Sequence, residues 1–177
     1  MNAVQTEVLY DTAMELAGLD GNQDVIDAYC GTGTIGLVAA SRGARSVTGV
    51  DSIGSAIRDA RENARHNGIE NARFVTADAT AFMRELASGR GADASFDNSL
   101  VVFMDPPRAG STEAFLEALS TLDPARVVYV SCNPQTQVRD CAFLKRLGYH
   151  VRTVVPVDMF PHTDHVETVV LMSKVEK

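Results

Sequence analysis

The stretch Val25-Ile26-Asp27-Ala28-Tyr29-Cys30-Gly31-Thr32-Gly33-Thr34-Ile35-Gly36 decides the architecture of this chain. Val25 to Ala28 reads as a buried strand. Gly31 to Gly36 then matches G-x-G-x-x-G, and a helix follows to about Ser41. Strand, glycine turn and helix in that order open a βαβ unit. Asp51 lies 18 residues after Gly33, at the end of a second strand over Ser46 to Val50. This geometry brings backbone N–H groups to an anionic ligand group and a carboxylate to a ribose diol.

The alternation continues along the chain. Asn2 and Gln5 have capping-box spacing for a first helix that runs to Ala17. Helices are expected over Ile53 to Asn67, Ala79 to Ala87, Thr112 to Thr121 and from Asn133 to Gly148. Strands are expected at Arg73 to Thr76, Leu100 to Met104, Arg126 to Val130, Val151 to Val157 and Val166 to Met172. Ser88 to Asn98 reads as a Gly/Asp/Ser-rich loop. The last two strands have no room for a helix between them and are expected to pair antiparallel. The fold class is α/β, with a mostly parallel, doubly wound sheet and right-handed crossovers. No repeat or linker interrupts the 177 residues, so a single domain over 1–177 is expected.

The bulk properties exclude several classes. No apolar run approaches a membrane span, and Met1 to Tyr10 carries no secretory signal. Three cysteines, Cys30, Cys132 and Cys141, are odd in number and lack metal spacing, which points to a reducing, cytoplasmic setting. The net charge of −7 argues against strong, unassisted binding of nucleic acid.

NAD, FAD and S-adenosylmethionine all satisfy the glycine loop. Asp78, at the end of the third strand, reads equally well as a helix N-cap and as an acceptor for an adenine amino group. Cys30 and Cys141 read as packed core residues. Two further strand ends carry chemistry. Asp105-Pro106-Pro107-Arg108 makes a stiff turn after the fourth strand, fixing a carboxylate at the sheet edge. Ser131-Cys132-Asn133-Pro134 ends the fifth strand and begins a helix, with Asn133 as N-cap. Cys132 thus sits at a strand carboxyl end, beside a helix N-terminus whose dipole favours a thiolate. The third stretch, Asp158 to Thr168, holds His162, Asp164, His165 and Glu167. No His-x-x-x-His helix or cysteine partner supports a metal there. A strand-edge Glu such as Glu167 is usually solvated, whereas a partly buried one would have a raised pKa and suit proton abstraction.

Asp105-Pro106-Pro107-Arg108, Ser131-Cys132-Asn133-Pro134 and Phe160-Pro161-His162-Thr163-Asp164-His165-Val166-Glu167 together resemble the RNA uracil-5-methyltransferases, which make 5-methyluridine in 23S rRNA and tRNA. Asp27 to Gly33 is similar to that family's cofactor loop. The resemblance spans essentially the whole chain. It implies the Rossmann-like, seven-stranded fold of S-adenosylmethionine-dependent methyltransferases, with an antiparallel last strand. It implies Cys132 as nucleophile, Glu167 as general base, and Asp105 beside both cofactor and base. Around S-adenosylmethionine it implies Tyr29, Gly31, Gly33, Thr34, Asp51, Asp78 and Asp105. Arg108, Asn133, Phe160, His162 and His165 are expected to face RNA, 23S rRNA ahead of tRNA. Family members carry an N-terminal RNA-binding module and a cofactor-contacting Gln upstream of the position of Asn2. Neither has a counterpart here, so the expectation is a catalytic domain that binds cofactor and RNA weakly by itself. The rivals are an exocyclic-amine methyltransferase, which has an aromatic residue where Arg108 stands, a 5-methylcytosine enzyme, a cofactor-binding module without catalysis and a dinucleotide oxidoreductase.

Overall fold

A computed structural model describes residues 3–89 and 99–174. Seven strands form one sheet: β1 (Asp24–Ala28), β2 (Ser46–Asp51), β3 (Ala72–Thr76), β4 (Val101–Met104), β5 (Arg126–Ser131), β6 (Tyr149–Val157) and β7 (Glu167–Lys174). Six helices cover it: α1 (Ala3–Ala17), α2 (Thr34–Ser41), α3 (Gly54–His66), α4 (Ala79–Ala87), α5 (Glu113–Leu122) and α6 (Pro134–Arg146). The strand order is β3-β2-β1-β4-β5-β7-β6, and only β7 runs antiparallel to its neighbours. The expected α/β class and the antiparallel final pair are therefore present. Asn2 and residues 90–98 of the expected loop lie outside the described residues.

Central strands are apolar on both faces because helices cover both. Ile26, Ala28, Val102, Met104, Val127 and Tyr129 pack under α4, α5 and α6. The alternate residues Val25, Val101, Phe103, Val128 and Val130 pack under α1 and α2. This is the period of two that a pleated strand imposes. Helix α3 closes a third cluster, with Ile57, Ala60 and Ala64 against Phe74.

Element boundaries shifted in places. Strand β6 begins at Tyr149, two residues earlier than expected, because Gly148 (φ 96°) ends the helix and lets the chain turn at once into the sheet. Strand β7 begins at Glu167 rather than Val166. The edge strand β6 has a register shift between Val151 and Thr153 and carries Pro156, both of which blunt pairing with another chain.

Candidate active site

The carboxyl ends of β1, β2, β4 and β5 share one edge of the sheet, because these four strands run parallel. After β1 the backbone turns through Tyr29 (φ 64°), Gly31 (φ 54°) and Gly33 (φ 81°). A left-handed φ at the non-glycine Tyr29 is strain of the kind found at ligand sites. Two carboxylates hold this turn. Asp51 Oδ2 accepts from the Gly31 N–H at 3.0 Å, and its Oδ1 accepts from the Ile53 N–H at 2.8 Å. Asp27 Oδ2 accepts from the Gly36 N–H at 2.7 Å, which ties the first turn of α2 to β1. Asp27 is 1% exposed, and burial pushes its carboxyl up to about 7, with the Gly36 N–H opposing and Asp105 and Asp51 adding to the rise.

Tyr29 is fixed at both ends. Its ring centroid lies 5.3 Å from that of Phe115, and its hydroxyl shares a 2.9 Å hydrogen bond with Ser111 Oγ. Asp78 caps α4, accepting from the Ala81 N–H at 2.8 Å. Burial raises the Tyr29 phenol, the Ser111 hydrogen bond opposes the rise, and the Asp78 charge adds to it. Thr34 is exposed at the start of α2. A methyl group added at Gly31 would meet nothing within 4 Å, so open space lies beside the loop. Open space, a pinned ribose-type carboxylate and an exposed α2 N-terminus fit an adenosyl ligand.

The second half of the site lies one strand over. In the antiparallel β5–β7 ladder Ser131 faces Thr168. The next residues along, Cys132 in the bend after β5 and Glu167 at the start of β7, lie close enough for the Glu167 charge to act on the thiol, although they are 35 positions apart. Cys132 is half-buried, and its thiol is raised first by burial, then by the Glu167 and Asp105 charges, while Arg108 pulls it down. Beside the helix N-terminus expected to favour a thiolate, burial and two carboxylates thus act in the opposite direction. Glu167 is raised by burial against the opposing Arg108 charge, as expected for a partly buried carboxylate. The Asp105 carboxyl opens to solvent at the mouth of the site, yet the protein packed around it and the nearby Glu167 push it up to about 7.

Arg108 is exposed. The Asn133 side chain is engaged at both ends: its Oδ1 accepts from the Gln135 N–H at 3.2 Å, and its Nδ2 donates to the Arg108 carbonyl at 2.9 Å. Phe160, His162 and His165 all face solvent on the β6–β7 connection, with Phe160 41% exposed. Met159 anchors that connection in the core and accepts a 3.7 Å hydrogen bond from Thr6 of α1. Among the described residues no group of three or more His, Cys, Asp or Glu could hold a metal. No described helix is long and apolar enough to cross a membrane.

Several contributors escaped the sequence reading. Tyr10 of α1 is half-buried, shares a hydrogen bond with Thr34 and feels Asp105 and Asp27. Asp27 had one legible signal, an acid inside an otherwise apolar strand. Ser111, Gln137 and Asp140 had none, because their partners are remote in sequence.

The sequence profile of the tRNA (uracil-5-)-methyltransferases matches residues 2–175. A protein of Bacillus cereus described as an uncharacterized RNA methyltransferase is 48% identical over 177 residues, which are 100% of this chain and 37% of the relative. A relative of the same description from Clostridium tetani is 44% identical over 173 residues, 98% of this chain and 36% of its own length. The chain thus spans little more than a third of these relatives. Among solved structures, the tRNA (uracil-54, C5)-methyltransferase of Pyrococcus abyssi in complex with S-adenosyl-L-homocysteine superposes with a TM-score of 0.75 and 36% identity. That match covers 93% of this chain and 37% of the other.

Proposed function

The chain belongs to the tRNA (uracil-5-)-methyltransferase family, and on that premise we propose that it methylates C5 of a uridine in structured RNA, with S-adenosylmethionine as methyl donor. The observation that carries the reading is the neighbourhood of Cys132 and Glu167 at one end of the β5–β7 ladder, with the Asp105 and Arg108 charges acting there.

Uracil C5 is a weak nucleophile. The Cys132 sulfur adds to C6, and the C5=C6 electron pair moves toward C5 and the O4 carbonyl. The carbon so activated accepts the methyl group that the cofactor's sulfonium supplies. Glu167 then takes the C5 proton, the electrons of that C–H bond re-form C5=C6, and the Cys132 thiolate leaves. General-base catalysis of this kind contributes about 10²–10⁴-fold. The thiol gives up its proton before attack, and the Asp105 carboxylate, whose charge Cys132 feels, is proposed to take it, which leaves Glu167 ionised for the later C5 step.

Tyr29, Gly31, Gly33, Thr34, Asp51, Asp78 and Asp105 are proposed to hold the cofactor. Arg108, Phe160, His162 and His165 are proposed to meet the flipped base and its flanking backbone, since exposed aromatic and basic side chains suit unstacked nucleotides. Asn133 contributes there by holding Arg108. The net charge of −7 supports a division of labour in which a separate RNA-binding module supplies most of the affinity in the cytoplasm.

The test is a covalent trap. An RNA hairpin containing 5-fluorouridine is incubated with the protein and S-adenosylmethionine, using 23S rRNA-derived and tRNA-derived hairpins in parallel. Fluorine cannot be abstracted from C5, so an adduct carrying one methyl group is expected in mass spectrometry, and Cys132→Ala must lack it. An adduct that persists in Cys132→Ala would refute the assignment. Tight cofactor binding without any adduct, even with a relative's N-terminal module supplied, would favour the non-catalytic binding module instead.

A further inference from the structure

Helix α6 does more than present Cys132. Asn133, Thr136, Arg139 and Asp140 recur at helical spacing and share one face. That face grips the loop from Pro107 to Ser111, which follows Asp105. Asn133 Nδ2 and Thr136 Oγ1 both donate to the Arg108 carbonyl, at 2.9 and 3.1 Å. Arg139 Nη2 donates to the carbonyls of Ala109 and Ser111, at 2.9 and 3.2 Å. Asp140 lies at the centre, with its side chain 2% exposed. Its Oδ2 accepts from the Ser111 N–H at 2.7 Å and the Tyr129 hydroxyl at 2.8 Å. Its Oδ1 accepts from Arg139 Nε and Nη2 at 2.9 and 2.8 Å. A buried carboxylate is costly unless every lone pair is met, and here four donors meet it. Gly110 (φ 78°) completes the fit, since a methyl group there would lie 2.5 Å from Arg139 Nη2 and 2.7 Å from Asp140 Oδ2.

The gripped loop links both halves of the site. At one end Ser111 Oγ meets the Tyr29 hydroxyl on the cofactor side. At the other end Arg108 projects its charge on Cys132 and Glu167. We propose that Asp140, clamped by Arg139, is a positioning residue: through the 107–111 loop it holds the Arg108 guanidinium against Cys132 and Glu167. This rests on the reading of Cys132 as the nucleophile, but the first test below reads the thiol itself and needs no RNA.

Cys132 faces Glu167 from β7, Asp105 from the end of β4 and Arg108 from the loop. Of these, only Arg108 draws the thiol pKa down. The rate of iodoacetamide alkylation against pH, located at Cys132 by peptide mass spectrometry, therefore reports where Arg108 sits. Arg108→Met is expected to move the alkylation midpoint to higher pH. Asp140→Asn and Arg139→Lys are each expected to move it in the same direction, and neither is expected to add to Arg108→Met, because they act through it. In the covalent trap, kcat for adduct formation is expected to fall roughly 10- to 100-fold in Arg139→Lys, with a smaller change in KM for RNA. A midpoint unchanged in a folded Asp140→Asn and in Arg139→Lys would overturn the proposal, as would shifts that add fully to Arg108→Met. Should Asp140→Asn fail to fold, Arg139→Lys decides, since Arg139 is exposed and its replacement keeps the charge. A shifted midpoint together with no wild-type adduct, a relative's N-terminal module being supplied, would support the positioning role while rejecting the uridine reading.

Discussion

Cys132 and Glu167 adjoin Ser131 and Thr168, the last paired residues of the antiparallel β5–β7 ladder, and the Glu167 charge acts on the Cys132 thiol. Gln137 of α6 secures that end of the ladder, donating to the carbonyls of Tyr129 and Thr168 and accepting from the Thr168 hydroxyl. The two residues proposed as nucleophile and base thereby adjoin a hydrogen-bonded strand end, which is stiffer than a loop. If Glu167 takes the C5 proton, Glu167→Gln will leave the methylated adduct unable to collapse. Ordinary uridine RNA should then give a stable protein–RNA band on a denaturing gel, absent in the double variant with Cys132→Ala. Turnover of Glu167→Gln close to wild type would remove Glu167 from the role.

The buried Asp27 makes a prediction for stability against pH. Its carboxyl sits near 7 in the folded chain against an ordinary 3.8. Between those values the folded state holds a proton that the unfolded state has released, so stability falls as pH rises through the window. The slope from one such group is at most about 1.4 kcal/mol per pH unit. Asp27→Asn keeps an oxygen for the Gly36 N–H and cannot ionise. It should be relatively more stable, against wild type, at pH 8 than at pH 4.5. Denaturant titrations at the two pH values decide, and an equal difference at both would show that Asp27 ionises normally.

Gly49 lies in the middle of β2 against Phe74. A methyl group there would sit 2.5 Å from Phe74 Cδ1 and 3.1 Å from Cys30 Sγ. Gly49→Ala should therefore cost about 1–3 kcal/mol through overpacking. Adding Phe74→Leu should recover part of that loss, although Phe74→Leu alone destabilises. Simple additivity of the two changes in urea unfolding would refute the steric account.

Arg126 reaches from the start of β5 to the end of α1, where its Nη1 donates to the carbonyls of Ala17 and Gly18 at 2.6 and 3.1 Å. These are helix-terminal acceptors with no partner inside the helix. Arg126→Met keeps the stem and removes the donor, at an expected cost of about 1 kcal/mol. Hydrogen exchange should quicken chiefly in the last turn of α1. Exchange that quickens evenly across the sheet would argue against a local cap.

Much of the architecture was legible because its signals are local. Apolar runs bounded by glycine gave the strands, and Asn133-Pro134 gave the start of α6, where Asn133 does cap the Gln135 N–H. The setting of the thiol was only half legible. The dipole beside Cys132 could be inferred from neighbouring residues, whereas the burial and the Glu167 charge that raise the thiol arrive from distant chain. Asp140 was invisible on the same ground, since Ser111 and Tyr129 meet it only after folding. The place of β7 between β5 and β6 is likewise a fact of pairing that no single segment announces.

That placement has a consequence for the chain as it leaves the ribosome. Strand β7 is the last of the seven to be synthesised, yet it fills an interior slot in the sheet. Until it arrives, β5 and β6 lack their shared neighbour and Cys132 lacks the Glu167 charge beside it. A nascent chain can thus form its glycine loop well before it can bring together the two residues proposed to act on the base.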